Sequence, residues 1–174
     1  MITIDGGTGV ILNNGVEVAS PKMVDHWRMT SDTTAGQDGV ISNWAQVSTS
    51  NHLPGRIGSS MSVSSHIFTF PTTGIYDITA SLAFFIGTNN DTIAQVWLKV
   101  SYDGTNYNEV ASWRTGEASD SIHQTVTNNY ILDVTNTSNV KFYFERDSFA
   151  GATELRGTSD LGVTNVTITR LGDT

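Results

Sequence analysis

Four histidines, His26, His52, His66 and His123, are the obvious metal ligands of a chain that has no cysteine. None stands at i, i+2 or i, i+4 from another, so no ligand pair is preset on one strand or helix face, and solvent-facing or turn histidines are expected. Asp120-Ser121-Ile122-His123 places a nucleophile beside a base, but it lacks the G-x-S-x-G elbow that aims a serine. With eighteen serines in the chain, such a neighbour arises by chance. Asp91, Glu109, Glu117 and Asp120 all fall near predicted loops, where solvated acids are the default and a paired glycosidase site is not expected. Asp32-Thr-Thr-Ala-Gly-Gln-Asp38-Gly superficially resembles a calcium loop, yet it lacks the alternating acids and closing Glu of an EF-hand. Calcium is therefore a side candidate and no other cofactor is expected. Gly6-Gly7-Thr8-Gly9 has neither the Lys nor the following helix of a phosphate loop and reads as a flexible arm. These patterns do not point to an enzyme.

Charge and composition exclude further classes. Of 174 residues, 17 are Asp or Glu and 9 are Lys or Arg, a formal net charge of −8. That balance lacks the basic footprint of a nucleic-acid or anionic-membrane binder. The longest apolar run, Leu82 to Ile86, is far below the roughly 18 residues of a membrane span. Met1-Ile-Thr-Ile-Asp-Gly-Gly has no cationic stretch leading into an apolar one, so no secretory signal is expected. Ser, Thr and Asn together form about a third of the chain, which favours strands and turns because their side chains compete with helical hydrogen bonds.

Any functional side chains must then be positioned by strands. Period two dominates from end to end. In Ile75 to Ile86, Tyr76, Ile78, Ala80, Leu82, Phe84 and Ile86 share one face; Asp77, Thr79, Ser81, Ala83 and Phe85 share the other. Ile93 to Tyr102 repeats the pattern, Asp103-Gly104 turns the chain, and Tyr107 to Trp113 returns as the second arm of a hairpin. Val24 to Met29, His66 to Phe70, Ile122 to Val134, Val140 to Arg146 and Val163 to Leu171 complete an expected all-β antiparallel sandwich or jelly roll of about eight to ten strands. Residues 30–65 read as a long connection with one or two short strands and two apolar anchors, Trp44 and Val47. Val10-Ile11-Leu12-Asn-Asn-Gly-Val16-Glu-Val18 is a compact hairpin signature around Asn14-Gly15. Residues 1–20 are read as an N-terminal arm, with the head domain, 21–174, starting at Pro21.

The order of these segments resembles one family. His66-Ile-Phe-Thr-Phe-Pro-Thr-Thr-Gly-Ile-Tyr76-Asp-Ile-Thr-Ala-Ser-Leu is similar to the signature of the trimeric jelly-roll heads shared by complement subcomponent q and tumour necrosis factor. Phe70-Pro71 ends a strand, Gly74 opens the next, and Tyr76 follows two residues later. Val96 to Gly104, Tyr130 to Val134 with Val140 to Phe144, and Leu161 to Leu171 resemble later strands of that family, the last running through the middle of a sheet. The absence of a Gly-X-Y stalk and of cysteine departs from its secreted animal members. Met1-Ile-Thr-Ile-Asp-Gly-Gly-Thr-Gly resembles the opening of virion proteins of marine bacteriophages that carry such heads.

The resemblance implies a homotrimer in which one sheet of each subunit faces two neighbours. Phe85, apolar on the otherwise polar face of its strand, and Trp27, on the first body strand, are the expected trimer contacts. Val10, Ile11, Leu12, Val16 and Val18 are the expected docking residues of the arm, offering strand edges to another phage structural protein. Trp97 and Trp113 are candidate ligand-facing aromatics, a stacking platform for a host surface glycan being the chemistry such rings suit. The expected role is mechanical and adhesive: a head decoration, head fibre or tail-fibre tip on the virion surface, made in the bacterial cytoplasm. A stand-alone carbohydrate-binding module is the alternative, and a hydrolase the third reading.

Overall fold

The computed structural model describes residues 21–46, 56–87, 92–116 and 121–174, together with the backbone of 2–4, 11–13 and 16–17. In chain order the strands are β1 (Ile2–Ile4), β2 (Ile11–Asn13), β3 (Val16–Glu17), β4 (Met23–Met29) and β5 (Gly39–Val40). They continue with β6 (Trp44–Gln46), β7 (Ser62–Ser64), β8 (Ile67–Thr69), β9 (Gly74–Ile86) and β10 (Ala94–Ser101). The last five are β11 (Tyr107–Thr115), β12 (Ile122–Val134), β13 (Lys141–Asp147), β14 (Glu154–Leu155) and β15 (Asn165–Gly172). Among the described residues no helix is long and apolar enough to cross a membrane.

The body is two six-stranded antiparallel sheets. One runs β11-β10-β13-β8-β7, with β5 also on β13; the other runs β12-β9-β15-β4-β6, with β14 also on β9. The expected jelly-roll sandwich is therefore present, and β15 does lie inside its sheet, between β9 and β4. Alternation explains the sandwich: in β9 and β13 every second side chain is buried, and these inward rows meet across the gap. The junction is aromatic. Phe68 stacks on Phe142 at 4.7 Å, and Trp27 and Trp44 of the opposite sheet meet Phe68 edge-on at 5.6 and 5.8 Å.

The Pro-Gly-aromatic motif performs its expected tasks. The Tyr76 ring is fully buried 4.7 Å from Phe70, and its hydroxyl donates to the Thr72 carbonyl at 2.9 Å. Gly74 has φ +145°, and an added Cβ would lie 2.5 Å from the Gly172 carbonyl oxygen, so only glycine fits this strand entrance. The Asp103-Gly104 hairpin is held by the Asp103 carboxylate, which accepts from the backbone N–H groups of Thr105 and Asn106 at 2.9 and 2.7 Å. Those bonds, led by the Asn106 side-chain amide, hold Asp103 well below the usual carboxylate range.

The segment 30–65 contains β5, β6 and the short β7. Its Trp44 anchor is buried on Phe144 at 5.5 Å, whereas Val47 lies outside the described residues. At the N-terminus β2 and β3 pair as the expected hairpin, in a register of Asn13↔Val16, and β1 adds a strand that alternation did not reveal. Val10, Val18, the 6–9 glycine segment and the side chains of Ile11, Leu12 and Val16 lie outside the described residues.

A buried carboxylate ties the first body strand to the loop before β7. Asp25, 1% exposed, accepts from Trp27 Nε1 at 2.9 Å, Gln46 Nε2 at 2.8 Å, Ser60 Oγ at 2.9 Å and the Met61 N–H at 2.8 Å. Asp25→Ala leaves buried donors without a partner and is expected to cost about 3 kcal/mol. The corresponding fall in Tm is roughly 6–12 °C for a chain of this length, read by differential scanning calorimetry. A fall below about 2 °C would show that this carboxylate does not anchor the loop.

Candidate assembly and ligand faces

Each sheet has one face in the core and one turned outward, so two broad faces are available. On the β12-β9-β15-β4 sheet, the register aligns outward residues into rows. One row is His26, Thr167, Thr79 and Asn129; the next is Val24, Thr169, Asp77 and Ile131. Toward the other end come Ser81 beside Thr127, Ala83 beside Thr125, and Phe85 beside His123. The face is hydroxyl-rich, with His26, Ile131, Phe85 and His123 as its larger side chains.

Its polar groups are largely paired with one another. His26 Nδ1 lies 2.9 Å from Thr167 Oγ1 and Ser81 Oγ lies 2.7 Å from Thr127 Oγ1. Asp77 accepts from Thr79 Oγ1 at 2.9 Å and from Asn129 Nδ2 at 2.8 Å. Phe85 sits half-buried at one end, with the His123 ring at 4.7 Å and the Arg156 guanidinium over it at 4.8 Å. Arg156 is itself paired with Asp32 at 2.7 Å and with Glu154.

Trp27 is not on this face. It is 9% exposed, on the inward row with Met23, Asp25 and Met29, and its indole is packed on Phe68 and bonded to Asp25. The expectation of a trimer contact is corrected for this residue, because its ring is already spent on the subunit's own core. Ser121 and His123, whose nearness the sequence reads as chance, sit in separate settings. His123 stacks on Phe85, Ser121 occupies a turn with φ +61°, and Asp120 lies outside the described residues. Asp91, Glu117 and His52 are outside them as well. Glu109 pairs with Lys99 at 3.3 Å, and His66 packs edge-on to Tyr143 at 5.3 Å.

The two acids of the calcium-like segment are occupied by protein donors. Asp32 takes Arg156 and the Gly157 N–H at 2.8 Å, while Asp38 takes the Phe149 N–H at 2.9 Å. No group of three or more His, Asp or Glu suited to a metal ion occurs among the described residues.

The opposite outward face, on β11-β10-β13, is charged and aromatic. Lys99 bridges Glu145 at 2.8 Å and Glu109 at 3.3 Å, and the Glu145 carboxylate chiefly raises the lysine. Tyr107 lies 4.8 Å from Tyr143, and burial pushes both phenols up. Trp97 is on this face, as alternation requires; its Nε1 donates to Asp147 at 3.2 Å and Arg114 covers its ring at 4.9 Å. Trp113 is not. It is fully buried, packs on Phe144 at 5.6 Å and donates to the Ala80 carbonyl of the other sheet at 2.9 Å. A ring with no exposed surface and a satisfied N–H offers a ligand nothing, so its ligand-facing assignment is corrected.

No family model and no curated protein matches the chain. Solved structures do. An Eiger TNF from S. frugiperda superposes with a TM-score of 0.66 at 8% identity, covering 89% of this chain and 96% of that one. Murine APRIL at pH 5.0 gives 0.60 at 16% identity, covering 86% and 98%. The APRIL structure at pH 8.5 gives 0.58 at 15%. At such identities the likeness establishes the fold: a TNF-like jelly roll.

Trp97 offers a probe of its face. The indole N–H first, and Gln95 second, stabilise ionised Asp147 and lower it from the ordinary value of 3.8. Because the folded value is depressed, the stabilisation is present above pH 3.8 and is lost as the pH falls through the folded value. A Trp97 emission change is therefore expected with its midpoint below pH 3.8, absent in Asp147→Asn, in a fluorescence titration with far-UV circular dichroism as the control for unfolding. A midpoint at or above 3.8 would show that the indole bond does not bias Asp147.

Proposed function

We propose that this chain is a non-enzymatic virion structural protein of a bacteriophage. It forms a homotrimeric jelly-roll head that serves as a capsid decoration or head fibre, or as a tail-fibre adhesion tip. The observation that carries the assembly is the outward face of β12-β9-β15-β4, whose hydroxyl and amide side chains are bonded to one another and so suit the approach of another sheet. Phe85 at its end and Ile131, 51% exposed in the Asp77 row, supply apolar contacts on this otherwise polar face. The TNF-like fold supports the same reading, and the sequence resemblance to trimeric heads names the stoichiometry. The virion placement rests on the opening Met1 to Gly9. In it, the arm of residues 1–20 docks on another phage protein, through strand edges of the β1-β2-β3 sheet.

A lone carbohydrate-binding module is the second reading, favoured by Trp97 on the outward face of β10. Arg114 already covers one face of that ring, which leaves less of it for a sugar.

Size exclusion with light scattering tests the assembly. The expected mass is three times the 18.8 kDa chain, falling to the monomer in Phe85→Arg and in Thr79→Arg at the sheet centre, with far-UV circular dichroism unchanged. A wild-type monomer overturns the trimeric head. A trimer that survives both substitutions overturns the assignment of this face.

A further inference from the structure

At the end of the sandwich one buried cation lies over the Phe149 ring at 5.7 Å but has few hydrogen-bond partners. Arg146 follows Phe142 and Phe144 on the inward row of β13 and is 8% exposed. Of its five N–H donors, its Nη1 group makes one bond, to the Thr34 carbonyl at 2.9 Å, and its buried Nε has no acceptor. No carboxylate pairs with it among the described residues. Asp38 acts on it from a distance, with its Oδ1 bonded to the Phe149 N–H. A buried guanidinium normally has its charge and donors matched. Arg156 and Arg170, which are only partly buried, are paired with acids, whereas the buried Arg28, like Arg146, bonds a backbone carbonyl, that of Thr158 at 2.6 Å.

Arg146 also lines a polar cavity of 240 Å³, together with Ser31, Thr33, Thr34, Ser42 and Asn43. Arg28, the other arginine with a buried and unpartnered Nε, lies outside this cavity, which singles out Arg146. Asp32 is on the rim, but its charge is taken by Arg156 at 2.7 Å. The volume is below the roughly 300–1,000 Å³ of drug-sized sites, so it suits one small ring. A ligand for this cavity must bring an anionic acceptor for the guanidinium and neutral hydroxyls for the Ser, Thr and Asn walls.

We propose that this cavity binds an acidic monosaccharide of the hexuronate class, with its carboxylate on Arg146 and its ring hydroxyls on the Thr34, Ser42 and Asn43 walls. The site belongs to one subunit and stands whether or not the chain trimerises. Asp38 opposes the incoming anion, so binding is weak and selective rather than tight.

The test titrates the full chain with sodium glucuronate, with glucose and sodium acetate at matched ionic strength, and follows the Arg146 Nε–H resonance by NMR. Glucuronate is expected to shift it, and glucose and acetate to bind at least about tenfold more weakly, since each lacks half of the contacts. Arg146→Met and Ser42→Phe, which adds bulk at a lining residue other than the arginine, are each expected to weaken glucuronate about tenfold or more by calorimetry. Should Arg146→Met fail to fold, the wild-type resonance and Ser42→Phe decide the matter. Acetate binding as well as glucuronate overturns the sugar assignment. The absence of a shift with all three probes, or glucuronate binding unchanged in both variants, overturns the site.

Discussion

The edge-on contacts of Trp27 and Trp44 with Phe68 and the tilted contact of Trp44 with Phe144 join the two sheets, Trp113 packs on Phe144 within its own sheet, and most of the remaining structure follows from this cluster. Six aromatic rings, counting Phe142, meet in this cluster. Because side chains alternate strictly along a strand, once these rings point inward every neighbour's direction is set. Phe85 must then point out because Phe84 points in, and Trp97 must point out because Val96 and Leu98 point in. The outward faces, where assembly and recognition are proposed, are the complement of this packing.

That logic also explains what was legible in the sequence. The long strand β9 was readable because it alternates without a break from Gly74 to Leu82, and β10, β12 and β15 because each alternates over part of its length. Gly74 and Tyr76 were readable because a strand entrance at φ +145° tolerates little but glycine. Trp27 was misplaced for an electrostatic reason. Its inward row, Met23, Asp25, Trp27 and Met29, contains a carboxylate, and an acid on a row reads as exposure until its donors are seen. Trp113 was misplaced because β11 mixes polar and apolar residues on both faces, and the register shift between Leu98 and Lys99 breaks the simple count across the hairpin. The Ser65-His66 turn between β7 and β8 left no signal, since its two positive φ values, 49° and 79°, fall on residues other than Asn or Gly. The cavity was illegible for a similar reason: Arg146 comes from β13 and its walls from 31–43, more than a hundred residues away.

Two buried ionisable groups show opposite solutions to one problem. The Asp25 carboxyl is matched by donors from four residues, so its burial is consistent with a closed structural role. Arg146 is buried to a similar degree and makes one bond. A fold that matches one buried group so fully and leaves the other open beside a cavity has an asymmetry that packing alone does not explain. Satisfaction from outside the chain does explain it, which is why the two sites carry different conclusions despite similar burial.

The same accounting bears on the proposed trimer. Burying a polar face is costly when its donors and acceptors lose water without replacement. On the β12-β9-β15-β4 face, His26 with Thr167, Ser81 with Thr127, and Asp77 with Thr79 and Asn129 already bond within the subunit. Those bonds are kept when water leaves, so the desolvation penalty falls on fewer groups than the composition suggests. Phe85 extends the argument to its charged neighbour, since Arg156 is neutralised by Asp32 and Glu154 before any partner arrives. A hydroxyl-rich sheet is thus compatible with a dry interface when its polar groups are paired in advance.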